Sequence, residues 1–518
     1  MRTSKSHPLR LDGLPLGAGR LSLTFCPGKR QPDSLSGGWS RDLDADLDAL
    51  RAAGVDLVVS LVTDAEMAAL GTAGLGEGVR RRGMAWLHLP FPDGTAPDAA
   101  WLARWDREAS PRLHQALDAG RHVLIHCKGG IERAPTVAAL LLLERGDGLA
   151  EALTLLRSAR PGAQPLAAQR ALLAGRAAPP TREAALIRAA LTGGAIGDAL
   201  GAEVEFWPLE KILRRFPRGV DEILPHQGRR GAITDDTQMT LFTAEGLIRA
   251  QVRGLDRGLC DPPGVVHHAY LRWLATQGES PRRMELCAEG LVADPRLRAR
   301  RAPGLTCLGA LRAAQSFGEK ARNDSKGCGT IMRVAPAGLL GRWNPRRLGR
   351  EISALTHGHP AGQEAAAVFA ELLHRLMRGE ALEPALRALL ETTSGETKAA
   401  MAAALAAPRD GSPQSVEALG GGWVAEEALA VALYAGLCAR GFEEGLRIAV
   451  THSGDSDSTG AVAGNLLGLL FPEEVMAHRW RREIECMDLI LRLADDLAGA
   501  REGDEDWASA LRSRYPGW

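Results

Sequence analysis

The sequence predicts two domains of different class, an α/β domain over residues 1–178 followed by a larger all-α domain over residues 179–518. Three observations predict it. Short β-rich apolar runs alternate with helical patterns only before residue 178. The segment Ala177-Ala-Pro-Pro-Thr181 interrupts any helix, and beyond it almost every periodic stretch is helical. At 518 residues the chain is also too long for one core, and its 45% hydrophobic content can fill more than one.

Taken in order, Asp42–Ala53 has the spacing of an amphipathic helix and leads into Val55–Val62, a strand. Ala85–Leu89 and Val123–His126 read as further strands, and Pro135–Leu143 as an apolar helix. Pro179 and Pro180 end this region, and Thr181 can cap the next helix. Helices follow over Glu183–Ala202, Thr240–Arg253, Gln363–Leu376, Ala425–Leu437 and Gly460–Leu470, with loops at Pro408–Pro413 and Gly420–Gly422.

Composition removes several function classes. Lys+Arg and Asp+Glu both number 63, so there is no clear nucleic-acid signal and no attraction to an anionic membrane. The longest apolar runs, such as Val137–Leu143, are too short to span a bilayer. No two of the 8 cysteines fall at zinc-ligand spacing, and the chain is too large for a disulfide scaffold, which fits a reducing cytoplasm. The opening MRTSKSHPLRLDG has no apolar stretch behind its charges, so no signal peptide is evident.

The sharpest local signal is His126-Cys-Lys-Gly-Gly-Ile-Glu-Arg133, between a strand and a helix. Five residues separate Cys127 from Arg133, enough for a loop to wrap one phosphate with its backbone N–H groups. Gly129 and Gly130 permit the tight backbone. Such a field lowers a cysteine pKa to about 3.5–7.5, making Cys127 a nucleophile, while Arg133 can grip phosphate oxygens in bidentate fashion. Asp93 is the natural general acid for the leaving oxygen, and Asp98 the second choice. A buried structural cysteine before a glycine turn is the alternative.

These residues, with Leu21–Gly28 and the loop DGTAPD, resemble the protein tyrosine and dual-specificity phosphatases, above all the kinase-associated type. The resemblance implies Cys127 as nucleophile, Arg133 as phosphate clamp and Asp93 as acid, acting on a phosphorylated protein or a small phosphate ester. The family usually has Ser or Thr directly after the arginine; here it is Ala134, and Thr136 lies further along the helix. Slow breakdown of a phosphocysteine intermediate follows, and a phosphate-binding module with little turnover is the alternative reading.

Two acidic clusters open helices in the second region, Gly231-Ala-Ile-Thr-Asp-Asp-Thr-Gln-Met-Thr240 and His452-Ser-Gly-Asp-Ser-Asp-Ser-Thr-Gly460. Either can be helix capping, and Asp235 with Gln238 fits a capping box. The second mimics a calcium loop but has Leu466 where a bidentate Glu is required. Ala190, Gly194, Gly197 and Gly201 form a helix face of small side chains, a theme continued by Gly460, Gly464 and Leu467. If those helices pack closely, Asp235, Asp236, Asp455 and Asp457 repel one another unless hard cations lie between them.

With GDALGAEVEF, SKGCGTIMR and LTHGHP, these clusters resemble the ADP-ribosylglycohydrolases, specifically those that reactivate dinitrogenase reductase. The resemblance implies removal of ADP-ribose from a modified protein or small derivative. It also implies two Mg²⁺ ions, with Mn²⁺ possible, held by Thr234, Asp235, Asp236, Asp455, Asp457 and Ser458. Glu205 is implied in acid–base work, His357 near the substrate, and Gly327, Gly329 and Met332 beside the bound ADP-ribose. Leu305 replaces a polar residue common in that family. Cys328 stands where the nitrogenase-regulating enzymes have Asn and reads as a small core residue. The carrier of the ADP-ribose is left open among arginine, serine, a nucleic-acid end and an O-acyl group.

Overall fold

A computed structural model describes residues 1–34, 37–281 and 285–516, in two compact units, Met1–Pro179 and Pro180–Trp518. The first unit is built on a five-stranded sheet of β1 (Asp12–Leu16), β2 (Gly19–Phe25), β3 (Leu57–Ser60), β4 (Ala85–His88) and β5 (His122–Cys127), in the order β1-β2-β5-β3-β4. β1 pairs antiparallel with β2, and the remaining pairs are parallel. The central β5 is covered on both faces. Val123 and Ile125 enter one apolar cluster while Leu124 enters another, which is why the run reads as continuously apolar. Asp42 caps α1 (Leu43–Ala52), and α2 (Arg133–Glu144) follows β5 with Ala134–Leu142 all buried. The hairpin β1–β2 is missing from the sequence reading, because Pro15 and the glycines obscure its alternation; Gly17, at φ 60°, makes the turn.

Regular elements in the described residues of the second unit are helices, with only isolated bridges at His226–Arg229 and Gly327–Val424. None is long and apolar enough to cross a membrane. Three helices position the site: α3 (Arg182–Gly201), capped by Thr181; α4 (Asp235–Arg257), capped by Thr234; and α5 (Ser456–Leu470), capped by Asp455. The caps correct one expectation. Thr234, not Asp235, accepts an N–H of the first turn, from Asp236 at 3.3 Å. Gln238 closes no capping box; its amide donates to the Ala299 carbonyl and accepts from the Trp273 indole.

Helices α3 and α5 pack antiparallel, backbone against backbone. A Cβ on Gly193, Gly197 or Gly201 would strike the carbonyl of Gly464, Gly460 or Ser456, closer than real Cβ atoms approach. Gly468 backs onto Ala189 and Ala190 in the same way. The contacting face is the expected one, Ala190, Gly194, Gly197 and Gly201, widened by Gly193. Gly194 meets Asn465, whose amide donates to the Ala190 carbonyl at 3.0 Å, and Gly468 does the work assigned to Leu467. This packing sets the end of α3 beside the start of α5.

Gly197→Ala gains about 1 kcal/mol of helix propensity but must push two backbones apart. The substitution should destabilise the unit by about 1–3 kcal/mol in denaturant unfolding. Gly309→Ala, in a helix with open space around the added Cβ, should stabilise it by about 0.5–1 kcal/mol. Equal effects at the two positions would refute the contact's importance.

Candidate active sites

In the first unit, the loop after β5 turns its carbonyls outward, and each has a partner. The Lys128 carbonyl accepts from Cys26 N–H at 3.4 Å, the Ile131 carbonyl from Gln164 N–H at 2.7 Å, and the Glu132 carbonyl from the Thr136 hydroxyl at 2.7 Å. Arg160 donates to the carbonyls of Gly130 (2.6 Å) and Gly129 (3.4 Å) and pairs with Asp12 at 2.6 Å. With the carbonyls held outside, the N–H groups are free to face the loop's centre. Gly130 N–H lies 3.1 Å from Cys127 Sγ. Only Gly130 needs to be glycine, having φ 71° and the Thr24 carbonyl where a Cβ would sit; at Gly129 an added Cβ meets only the Ile131 side chain. Arg160 and Gln164 escape the sequence reading because they lie far from the motif.

Arg133 is fully buried at the start of α2. Its terminal nitrogens donate to Leu61 O (3.1 Å), Phe91 O (2.8 Å) and both carboxylate oxygens of Glu66 (2.7 and 2.8 Å). Burial would raise the Glu66 carboxyl, but its bonds to Arg133 and Thr63 prevail and hold it below the usual range. The Arg133 Nε is buried without a partner, the donor left over for a phosphate oxygen. Asp93 lies 3.0 Å from Arg133 and 3.5 Å from Lys128, at the open side of the loop. Asp98 instead caps the helix Ala99–Arg104 through Trp101 N–H, so it is a structural residue. Ala134 is buried, and the Thr136 hydroxyl is bound to Glu132 and Gln169. Neither offers a hydroxyl to Cys127.

In the second unit, three segments converge. Glu205 follows the end of α3, its N–H bonded to the Gly201 carbonyl at 3.0 Å; Asp235 and Asp236 open α4; Asp455, Asp457 and Ser458 open α5. One carboxylate oxygen each from Glu205, Asp455 and Asp457 lies within 4.8 Å of the others. Ser458 hydrogen-bonds Asp236 through its side chain, joining clusters more than two hundred residues apart. The four aspartates are each at most 4% exposed, so water does little to screen them.

Burial, reinforced by like charge, raises them all. Asp235 goes to about 8, with Asp198 and Asp455 as the charged neighbours, and Glu205 to about 8, with Asp455, Asp235 and Asp198. Asp236 rises well above the carboxylate range by burial and then by Asp235, Asp198 and Asp455, and Asp457 by burial and then by Asp236, Asp455 and Glu205. Hydrogen bonds offset only part of this. Asp235 accepts Gly304 N–H at 3.2 Å, Asp455 accepts Ser458 N–H at 3.4 Å, and one oxygen of the buried Asp236 has no partner. Four carboxylates and two hydroxyls, with an orphaned oxygen among them, suit a hard divalent cation.

Asp198, within the GDALGAEVEF motif, braces this arrangement through the start of α4. Its buried carboxylate accepts N–H bonds from Thr234 (3.0 Å) and Thr237 (3.2 Å) and a bond from the Thr237 hydroxyl, which fixes where α4 begins. An acid inside a helix of glycines and alanines was the available signal. Gly327 and Gly329 lie over the His357 ring, with which an added Cβ would collide or touch. His357 itself is 1% exposed and bonded to Thr356 at 2.8 Å; burial, with Arg333, lowers it to about 3 and keeps it neutral. Its ring packs against the turn of Gly327 and Gly329. The Met332 side chain lies in the core, and its carbonyl accepts from the Thr240 hydroxyl at 3.1 Å. Cys328 sits at the edge of the core, packed against the apolar cluster. It is half-buried, and its sulfur lies 2.8 Å from Asp455.

Comparison with known proteins accounts for both units. The ADP-ribosylglycohydrolase family model matches residues 178–506, and that of cyclin-dependent kinase inhibitor 3 matches residues 20–154. ADP-ribosylarginine hydrolase Tri1 of Pseudomonas putida is 28% identical over 63% of this chain and 81% of its own length. The ADP-ribosyl-(dinitrogen reductase) glycohydrolase of Rhodospirillum rubrum is 24% identical over 57% and 89%. Cyclin-dependent kinase inhibitor 3 of Sus scrofa is 31% identical over 30% of this chain and 71% of its own. The chain belongs to the ADP-ribosylglycohydrolase family and carries, ahead of that domain, a phosphatase domain of the kinase-associated, cyclin-dependent kinase inhibitor 3 type.

Proposed function

We propose that the second unit hydrolyses the bond between ADP-ribose and an arginine side chain, with two divalent cations held by Thr234, Asp235, Asp236, Asp455, Asp457 and Ser458. The observation that carries this is the convergence of buried, mutually raised carboxylates with the unpartnered oxygen of Asp236. Cations, when bound, offset that charge and supply Lewis acidity toward the ribose oxygens. Glu205 stands beside Asp455 and Asp457; it takes the proton of the water that attacks the anomeric carbon and returns it to the leaving nitrogen. An apolar rim supports a planar, cationic acceptor. Phe206, held at φ 65° beside Glu205 and 70% exposed, stacks on Trp423 with ring centroids 5.1 Å apart, and Leu305 is exposed beside Gly304. Guanidinium groups favour such aromatic faces, and one relative is named for ADP-ribosylarginine.

For the first unit we propose hydrolysis of a phosphate monoester. Cys127 attacks the phosphorus, Arg133 Nε and the loop N–H groups bind the equatorial oxygens, and Asp93 protonates the leaving oxygen. Asp93 must leave its pairing with Arg133 as phosphate enters. A second reading, a phosphate-binding module that turns over little, is favoured by one observation: no hydroxyl from Ala134 or Thr136 reaches Cys127 to help the thiolate leave.

Asp455→Asn should reduce Mg²⁺-dependent release of ADP-ribose from ADP-ribosylarginine by at least about 100-fold; unchanged turnover refutes the cation site. A second prediction concerns pH. Without cations, Asp235 and Glu205 at about 8 and Asp198 at about 6 hold protons more tightly folded than unfolded. Their contribution is full below about pH 4, where the unfolded carboxyls titrate, and is lost as pH rises toward about 8. In chelator the unfolding midpoint should therefore fall between about pH 5 and pH 8, with Mg²⁺ restoring most at the high end; a flat profile contradicts it. In the first unit, Cys127→Ser should abolish release of phenol from an aryl phosphate. Ala134→Ser should speed steady-state turnover roughly ten-fold, the equivalent of one hydrogen bond to a charged group. A wild-type chain already at that faster rate excludes the binding-module reading.

A further inference from the structure

The turn that begins at Cys328 is fixed against two other segments of the acidic pocket. Cys328 N–H donates to the Trp423 carbonyl at 3.2 Å, Gly327 bridges Val424, and Asp455 N–H donates to the Gly421 carbonyl at 2.8 Å. The thiol therefore has a set position at the N-terminus of α5. Its sulfur is 2.8 Å from Asp455 Oδ2, and Ser458 bonds it through its side chain. Two donors bound to one ion at a right angle, with oxygen at about 2.1 Å and sulfur at about 2.3 Å, stand about 3.1 Å apart. The Cys328–Asp455 pair is close to that spacing. Independently, Asp236, a charged neighbour of Cys328, keeps one buried oxygen without a partner, and Ser458 bonds both Asp236 and Cys328. Cys307 is different. Its sulfur lies 3.3 Å from a nitrogen of Arg333, a cationic neighbour that no cation ligand would have.

We propose that Cys328 is a ligand of the divalent-cation site and shifts its preference from Mg²⁺ toward Mn²⁺, Co²⁺ or Zn²⁺. This deepens, and rests on, the reading of the pocket as a cation site. On binding, the thiol proton passes to solvent and a sulfur–metal bond replaces the hydrogen bond to Asp455, whose oxygen is then free to bind the same ion. Mg²⁺ takes oxygen donors and gains little from sulfur, whereas the later divalent ions accept mixed oxygen and thiolate sets. An oxygen-only set would leave the site selective for hard ions; one sulfur alters that without removing a carboxylate.

The test is titration of the chelator-treated full chain with Co²⁺, reading thiolate-to-cobalt charge-transfer absorption in the near ultraviolet and, by calorimetry, the affinities for Co²⁺ and Mg²⁺. The absorption should appear in the wild-type chain and in Cys127→Ser, and vanish in Cys328→Ser. Cys328→Asn should still bind Mg²⁺ while its Co²⁺-to-Mg²⁺ affinity ratio falls roughly ten-fold or more. Co²⁺ bound without charge transfer, or charge transfer surviving both substitutions at Cys328, overturns the ligand role and leaves the cation site standing. Absence of any binding that Asp455→Asn removes overturns both.

Discussion

Where Gly193, Gly197 and Gly201 meet Gly464, Gly460 and Ser456, no side chain separates α3 from α5. Everything in the second unit's pocket depends on that closeness. The end of α3 carries Glu205 and the first turn of α5 carries Asp455 and Asp457, so the distance between helix axes sets the distance between acids. Interior glycines weaken both helices when taken singly. The sequence retains them because the packed pair buries backbone against backbone, and Asp198 then uses the same helix to fix the start of α4.

The two units handle concentrated charge in opposite ways. In the first, the charge to be met is an incoming anion, and the protein prepares donors. Carbonyls are turned outward, Arg133 is locked by Glu66, and one Nε is left unspent. In the second, the protein gathers acids and leaves them short of donors. Each arrangement is unfavourable without its ligand, and the sign of the missing ligand can be read from the groups left unpaired.

Much of this was legible in the sequence, for identifiable reasons. The phosphate loop is local, so the eight residues His126–Arg133 between a strand and a helix reveal it. The acidic clusters are local too, and the like-charge argument joins them before any fold is known. What escaped was held by contacts distant along the chain. Glu66 looks like a capping residue and is one, through Thr63, yet its carboxylate also grips Arg133. Asp98 and Asp93 share one loop, and only geometry separates cap from acid. His357 and Met332, placed beside the substrate by resemblance, are held by Thr356 and Thr240, contacts that no motif spacing announces. The small-residue face of α3 was read correctly but too narrowly, because Gly193 and Gly194 both abut α5 and a strict helical spacing admits only one of them.

Arg160 ties the carbonyls of Gly129 and Gly130 to Asp12, so the outermost strand of the first sheet is mechanically part of the phosphate loop. Both ends of that strut fall outside residues 20–154, the stretch shared with the phosphatase family. A fragment trimmed to the shared stretch would keep nucleophile, clamp and acid yet lose the brace beneath them. The boundary of a fold and the boundary of its working parts are, in this domain, different lines.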